Sequence, residues 1–153
     1  MTHNPQLDDR LSFRTACKGD VTDLCELYHQ SMPEVTTSPE SMEKMITASQ
    51  NNPDNRTIVG IMDGKVVATF QLILYDNPVR APKRKAVIDS VVVNETARNQ
   101  GIGTAMMDWA VAFLRDEGCS HIGVASRYSR KVAHHVYQKL DFEQFGYYFL
   151  FRA

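Results

Sequence analysis

The stretch Val91-Val92-Val93-Asn94-Glu95-Thr96-Ala97-Arg98-Asn99-Gln100-Gly101-Ile102-Gly103-Thr104 decides the fold. A run of β-branched residues, typical of a strand, leads into a polar turn. The turn passes through two glycines into a segment with no proline or further glycine before Gly118, which reads as a helix. The glycines let the backbone come close to a ligand. The new helix points its unpaired N–H groups and its positive dipole end the same way. Such a corner suits a phosphate or pyrophosphate.

Two familiar phosphate loops fail against these residues. A dinucleotide-binding G-x-G-x-x-G needs glycine where this chain has Met106, and its first glycine would follow the strand more closely. A Walker loop needs Gly-Lys-Ser/Thr, and Gly103-Thr104 has no lysine. What remains is Arg-x-x-Gly-x-Gly between strand and helix, from Arg98 to Gly103.

At 153 residues the chain fits one domain with a proper core. Residues 1–10 are polar and read as a flexible N-terminal tail, which leaves 11–153 as a single domain. Seventeen Lys and Arg nearly cancel 18 Asp and Glu, for a net charge of −1, so no nucleic-acid footprint is expected. Cys17, Cys25 and Cys119 are odd in number and lack C-x-x-C spacing, which favours a reduced, cytoplasmic setting over disulfides or zinc. Met1-Thr2-His3-Asn4-Pro5 has no signal pattern, and no apolar run approaches membrane-spanning length.

Outward from the glycine corner, Leu11–Ala16 alternates as a strand, and Asp20 caps a helix carrying Val21, Leu24, Cys25, Leu27 and Tyr28. Ser38-Pro39-Glu40 opens a second helix. Arg56–Met62 and Lys65–Tyr75 read as a hairpin on Asp63-Gly64, with Val66, Ala68, Phe70, Leu72 and Leu74 on one face. A basic loop, Asn77 to Lys85, leads to a third strand, Ala86–Val93. After the corner comes a stripe of Met106, Trp109, Ala110, Phe113 and Leu114 that ends at Gly118. His121–Ala125 reads as a strand and about Arg130 to Leu140 as a short helix. Phe142–Gln144 and Tyr147–Phe151 read as two closing strands. The order β-α-α-β-β-β-α-β-α-β-β implies a mixed sheet with a parallel crossover and helices on its faces.

The hexapeptide Arg98–Gly103 resembles the pyrophosphate loop of the GNAT superfamily of acyl-CoA-dependent N-acyltransferases. Ala133-His134-His135-Val136-Tyr137-Gln138-Lys139-Leu140-Asp141-Phe142 resembles that family's second signature, with Val136 where Phe is usual and Asp141 in place of Gly. Asp tolerates the left-handed conformation that a helix-ending glycine adopts. The element order is also that of the family, so the resemblance spans almost the whole chain. It implies the GNAT-type α/β fold: a central mixed, twisted sheet of about six to seven strands flanked by about four helices.

The resemblance implies acetyl-CoA as donor and a primary amine of a small molecule or peptide as acceptor, joined by direct attack in a ternary complex. Pantetheine would pair with the backbone of Val91, Val92 and Val93. The pyrophosphate would lie on the N–H groups of Arg98, Asn99, Gln100, Gly101, Ile102, Gly103 and Thr104, with Arg98 or Gln100 adding side-chain contacts. Ala133 and Tyr137 would flank the cofactor.

Tyr137 suits a general acid for the departing thiolate, because a phenol stays protonated at neutral pH. Helical spacing alone favours a core tyrosine, and the resemblance turns the reading toward the acid. Asp89 interrupts the apolar run Val87 to Val93, and alternation puts it on a face with Val87, Val91 and Val93. The resemblance makes it a base or an amine-orienting group, whereas the residues alone also allow a paired structural or solvent-facing carboxylate.

His134-His135 lacks a partner at ligand spacing, so no metal is expected. Lys83-Arg84-Lys85 reads as a solvated rim or a contact for an acidic substrate. The resemblance also allows a homodimer through the terminal strands. The rival from another class is an acyl-CoA-binding regulatory or scaffold module without turnover. The acceptor, expected near Tyr28 to Ser38 and the basic loop, carries no readable motif.

Overall fold

The chain is represented by a computed structural model that describes residues 10–34, 36–79, 83–146 and 148–151. Of the expected N-terminal tail, only Arg10 falls within the described residues. Five strands form one sheet in the order β1 (Leu11–Thr15), β2 (Asn55–Met62), β3 (Lys65–Asn77), β4 (Lys83–Val93) and β5 (Cys119–Val124). The first three pairings are antiparallel. β4 and β5 run parallel. They are joined by the crossover helix α3 (Ile102–Asp116), as a parallel pair requires. Helices α1 (Val21–Ser31) and α2 (Pro39–Gln50) precede β2, and α4 (Lys131–Lys139) follows β5.

Local chemistry accounts for these elements. Asp63 and Gly64 adopt φ of 51° and 78°, the pair of left-handed conformations that a two-residue hairpin turn needs. Ser38 Oγ accepts from the Ser41 N–H, with Pro39 at the first helical position of α2. Asp20 precedes α1 but caps it with no side-chain bond. Its carboxylate instead takes Arg14 Nη1 and Nη2 at 2.7 and 2.9 Å and the Cys17 N–H at 2.8 Å. Burial pushes that carboxyl's pKa up, but these bonds and the Arg14 charge outweigh it and hold it below the usual range.

Two clusters fill the two faces of the sheet. α1 and α2 place Leu24, Leu27, Met42 and Ile46 against Val59, Val66 and Val92. On the other face α3 sets Ile102, Met106, Ala110 and Leu114 against Ile58, Ala68, Phe70, Leu72, Leu74 and Ile88. Trp109 lies in an aromatic group with Phe13, Phe70 and Phe113.

Three expectations change. Val66 does not share a face with Ala68 to Leu74, because the β2–β3 register slips between Gly60 and Ile61 and moves one position to the opposite side. Lys83–Lys85 extends β4 rather than forming a loop, paired with Tyr75–Asn77. Arg84 there is occupied internally, bonded to Asp54 and 3.5 Å from Glu117.

The third change concerns the closing strands. Among the described residues, Phe142–Gln144 and what is described of 147–151 form no strand, so five strands are seen there rather than six or seven.

Candidate active site

The site begins at an irregularity in β4. Thr69 pairs with Val92 and Gln71 with Asp89, so Phe70 of β3 stands opposite both Ser90 and Val91. Ser90 takes a left-handed φ of 51°, and its N–H donates to Asp89 Oδ1 at 2.6 Å. This bulge shifts the alternation by one residue. Ala86 and Ile88 face α3 before it, and Val91 and Val93 face the same way after it, while Val92 turns toward α1 and α2.

Asp89 therefore does not share a face with Val91 and Val93. It lies on the α1 and α2 side, where its charge reaches the Tyr28 hydroxyl. It is exposed rather than buried, so its place in an apolar run carries no desolvation cost. Burial raises the Tyr28 pKa, a hydrogen bond with Thr69 lowers it, and the Asp89 charge raises it again, for a net upward shift.

β4 also leaves β5 at this point. Their last pair is Ile88 with Val124, and β4 runs on to Val93 without β5 beside it. Two arginines cap carbonyls of that free stretch. Arg130, just before α4, donates through Nη1 to Val91 O at 3.2 Å and through Nη2 to Ser31 Oγ at the end of α1 at 3.3 Å. Arg98 Nε donates to Val93 O at 3.3 Å. Arg98 and Gln100 both fold back on their own loop, Arg98 Nη1 lying 3.6 Å from Glu95 and Gln100 Nε2 donating to Thr96 O at 3.3 Å.

The glycine corner follows directly. Asn94 Oδ1 accepts from the Thr96 N–H at 3.0 Å and starts a single 3-10 turn, Glu95–Ala97, pinned by buried Ala97. Asn99 and Gly101 then take φ of 63° and 87°. The first backbone bond of α3 runs from Ala105 N to Gly101 O at 3.0 Å, so the N–H groups of Ile102, Gly103 and Thr104 lie ahead of the helical ladder. A Cβ built on Gly103 would meet nothing within 4 Å. Open space before unpaired N–H groups and a helix N-terminus fits a diphosphate.

α4 supplies the remaining side chains. Ala133 and Tyr137 are half-buried, and the Tyr137 ring sits 6.0 Å from that of Phe142. Asp141 holds the left-handed φ of 59° that the signature's glycine would take, and the Phe142 N–H closes back on Tyr137 O at 3.0 Å. Burial pushes the Tyr137 phenol above its ordinary pKa, and the positive charge of Arg130 offsets part of that rise. Among the described residues, no group of three His, Cys, Asp or Glu could hold a metal ion. His134 Nε2 instead lies 3.2 Å from Ser126 Oγ.

Arg130 links two of these parts, bonding Val91 O and placing its charge near Tyr137, while Asp89 lies on the α1 side of β4. Sequence reading missed Arg130 and Ser31. Arg130 did carry a signal: from Gly118 to Leu140 the chain has Arg127, Arg130, Lys131 and Lys139 and no carboxylate. Ser31 carried none.

A parallel pair that opens beside a glycine-cornered helix defines a class of folds that grip a diphosphate-bearing cosubstrate. Residues 21–142 match the model of the Acetyltransferase (GNAT) family, and the chain belongs to that family. A structure described as a transcriptional regulator from Bacillus halodurans C-125 aligns at TM-score 0.87 with 20% identity, covering 94% of this chain and 99% of that one. A putative acetyltransferase from Agrobacterium tumefaciens str. C58 aligns at 0.85 with 26% identity, covering 93% and 99%. Glucosamine-6-phosphate N-acetyltransferase from Arabidopsis thaliana aligns at 0.81 with 19% identity, covering 93% and 97%. Family membership supports acyl transfer. No helix among the described residues is long and apolar enough to cross a membrane.

Proposed function

We propose that this protein is an N-acetyltransferase that moves the acetyl group of acetyl-CoA to a primary amine by direct attack in a ternary complex. The observation that carries this reading is the separation of β4 from β5 after Ile88 and Val124, in a chain whose crossover helix α3 opens on a glycine corner. The N–H groups from Arg98 to Thr104 hold the diphosphate, and the free backbone of Val91 to Val93 takes the pantetheine amides once Arg130 and Arg98 release its carbonyls. Ala133 and Tyr137 line the far side.

Acetyl-CoA supplies the activated thioester. Asp89, on the α1 side, takes a proton from the incoming ammonium directly or through water, since only a neutral amine has the lone pair to attack. The new C–N bond forms as the carbonyl becomes a tetrahedral oxyanion, for which an N–H on the open edge of β4 is the available donor. The C–S bond then breaks, Tyr137 protonates the leaving thiolate, and the second proton on the new amide nitrogen passes to water, from which Tyr137 is reprotonated. Its raised pKa keeps the proton in place at neutral pH.

The acceptor belongs to a small molecule or peptide that enters past α1. Cys17, Cys25 and Cys119 are free thiols, in keeping with work in the reducing cytoplasm. The partners are acetyl-CoA, the amine and a second copy of the chain. A thiol-release assay over a panel of amines tests the reading. Amine-dependent CoA release supports it, whereas tight acetyl-CoA binding without release with any amine would assign the fold to a sensing or scaffold role.

A further inference from the structure

Within the basic run Lys83-Arg84-Lys85, Arg84 lies on the α3 side of the sheet, held by Asp54 and Glu117. Strand alternation puts Lys85 on the opposite face of β4, the face of Asp89. Lys85 is half-buried, and among the described residues no carboxylate lies within ion-pair distance of it. An unpaired, half-covered ammonium gains from an anion that the chain itself does not supply.

The register continues this face across three strands. Tyr75 of β3 and His121 of β5 stand on either side of Lys85, both exposed. Two residues along, Ile73, Val87 and Gly123 form an apolar row. Among the described residues, Ile73 and Val87 are half-buried but join neither core cluster. A Cβ built on Gly123 would meet only Ala86 O, at 4.0 Å, so the row is open above that glycine. Two residues further, Gln71 stands opposite Asp89. Gln71 Nε2 donates to Asn55 Oδ1 at 2.7 Å, and the carboxylate of Asp89 supplies the charge of this row. Lys85 and Asp89 thus share one face four residues apart, about 13 Å at roughly 3.3 Å per residue.

We propose that this face takes the acceptor lengthwise: its amine at Asp89, an apolar spacer over Ile73, Val87 and Gly123, and an anionic group, carboxylate or phosphate, at Lys85. Opposite charges at the two ends accept such a molecule in one orientation only. Tyr75 and His121 add groups that can donate to the anion. This acceptor class rests on the acetyl-transfer reading, because Asp89 marks the reacting amine.

The test measures CoA release with octylamine, ω-aminooctanoate, ω-aminooctyl phosphate and ω-aminobutyrate. At least one of the two long anionic amines should show a KM about 5-fold or more below that of octylamine, with kcat little changed. The larger gain tells carboxylate from phosphate. In ω-aminobutyrate the carboxylate lies too near the amine to reach Lys85, so this compound should gain nothing. Lys85→Gln should erase the advantage, and Lys85→Arg should keep it. An equal KM for octylamine, an equal gain for ω-aminobutyrate, or an advantage that survives Lys85→Gln overturns the proposal. Backbone amide shifts of Val87, His121 and Gly123, followed by NMR during titration with the same amines, report binding without turnover. Should no amine release CoA, the acetyl-transfer reading falls and these shifts decide alone. Shifts with a long anionic amine that vanish in Lys85→Gln sustain the proposal, and their absence overturns it.

Discussion

The Arg130 guanidinium donates to the Val91 carbonyl at 3.2 Å across the gap where β4 leaves β5. A strand edge without a neighbour has acceptors to satisfy, and here a side chain from the start of α4 does so. Among the described residues, Arg130 lies within ion-pair distance of no carboxylate, so its charge stays directed at the gap and reaches Tyr137. Arg130 is therefore a positioning residue. It ties α4 to β4 and, through Ser31, to α1, and it tunes the phenol we assign as the acid.

Removing that charge gives the first expected outcome. Arg130 offsets part of the burial-driven rise of the Tyr137 pKa, so Arg130→Ala should let the pKa rise further. Tyr137 must be protonated to act, so activity is lost as pH rises through its pKa. The alkaline limb of kcat/KM should move to higher pH in the variant. An unmoved limb would separate Arg130 from the acid step.

Tyr137→Phe keeps the ring that packs against Phe142 at 6.0 Å and deletes only the hydroxyl. Turnover should fall roughly 100-fold or more, the usual share of a general acid. Acetyl-CoA affinity, measured by calorimetry, should change little. Full turnover in this variant would leave Tyr137 as a packing residue.

Asp89→Asn should lower turnover most steeply at low pH, where the acceptor is mostly ammonium and depends most on a base. Asp89 is exposed, so the substitution should not disturb the fold. The Asn amide oxygen can still accept from the Ser90 N–H and keep the bulge. An unchanged pH–rate profile would take Asp89 out of the base role.

Gly103→Val should abolish measurable binding of CoA and leave the fold intact. The added side chain meets nothing within 4 Å in the protein, so the space it fills is the space before the α3 N–H groups. Each charge-assisted bond lost is worth about 1.5–3 kcal/mol, so two bonds weaken affinity at least about 100-fold. Calorimetric titration with CoA checks this, and retained affinity would move the phosphate site elsewhere.

Asp20→Asn tests the fold rather than the chemistry. The Asp20 side chain is 7% exposed and is held by Arg14 and the Cys17 amide, so the substitution should cost about 1–3 kcal/mol in urea unfolding. Its folded pKa is depressed below the unfolded value of about 3.9, so its contribution is complete at neutral pH. That contribution fades as pH falls below about 4 toward the folded pKa. The variant's stability should lose its steep decline in that window.

Much of this was legible because it is local. Pro39 after Ser38, the Asp63-Gly64 turn and the stripe from Met106 to Leu114 each carry their reason within a few residues. Asp141 was readable for the same cause: a helix end needs a left-handed residue, and an aspartate tolerates φ of 59°. Asp89 was misread because alternation assumes an unbroken pleat, and the Ser90 bulge breaks it opposite Phe70. No residue in Ile88-Asp89-Ser90-Val91 announces that break. Arg130 was missed because its partners, Val91 and Ser31, lie 39 and 99 residues away.

The sequence by itself determined the glycine corner, the order of the elements as far as α4 and the family, because turn chemistry and side-chain period act over short spans of chain. The tertiary structure decided which way Asp89 faces, which arginines cap the open edge of β4, and that the described residues after Phe142 form no regular strand. Those are matters of register and of long-range contact, and they exist only once separate segments meet.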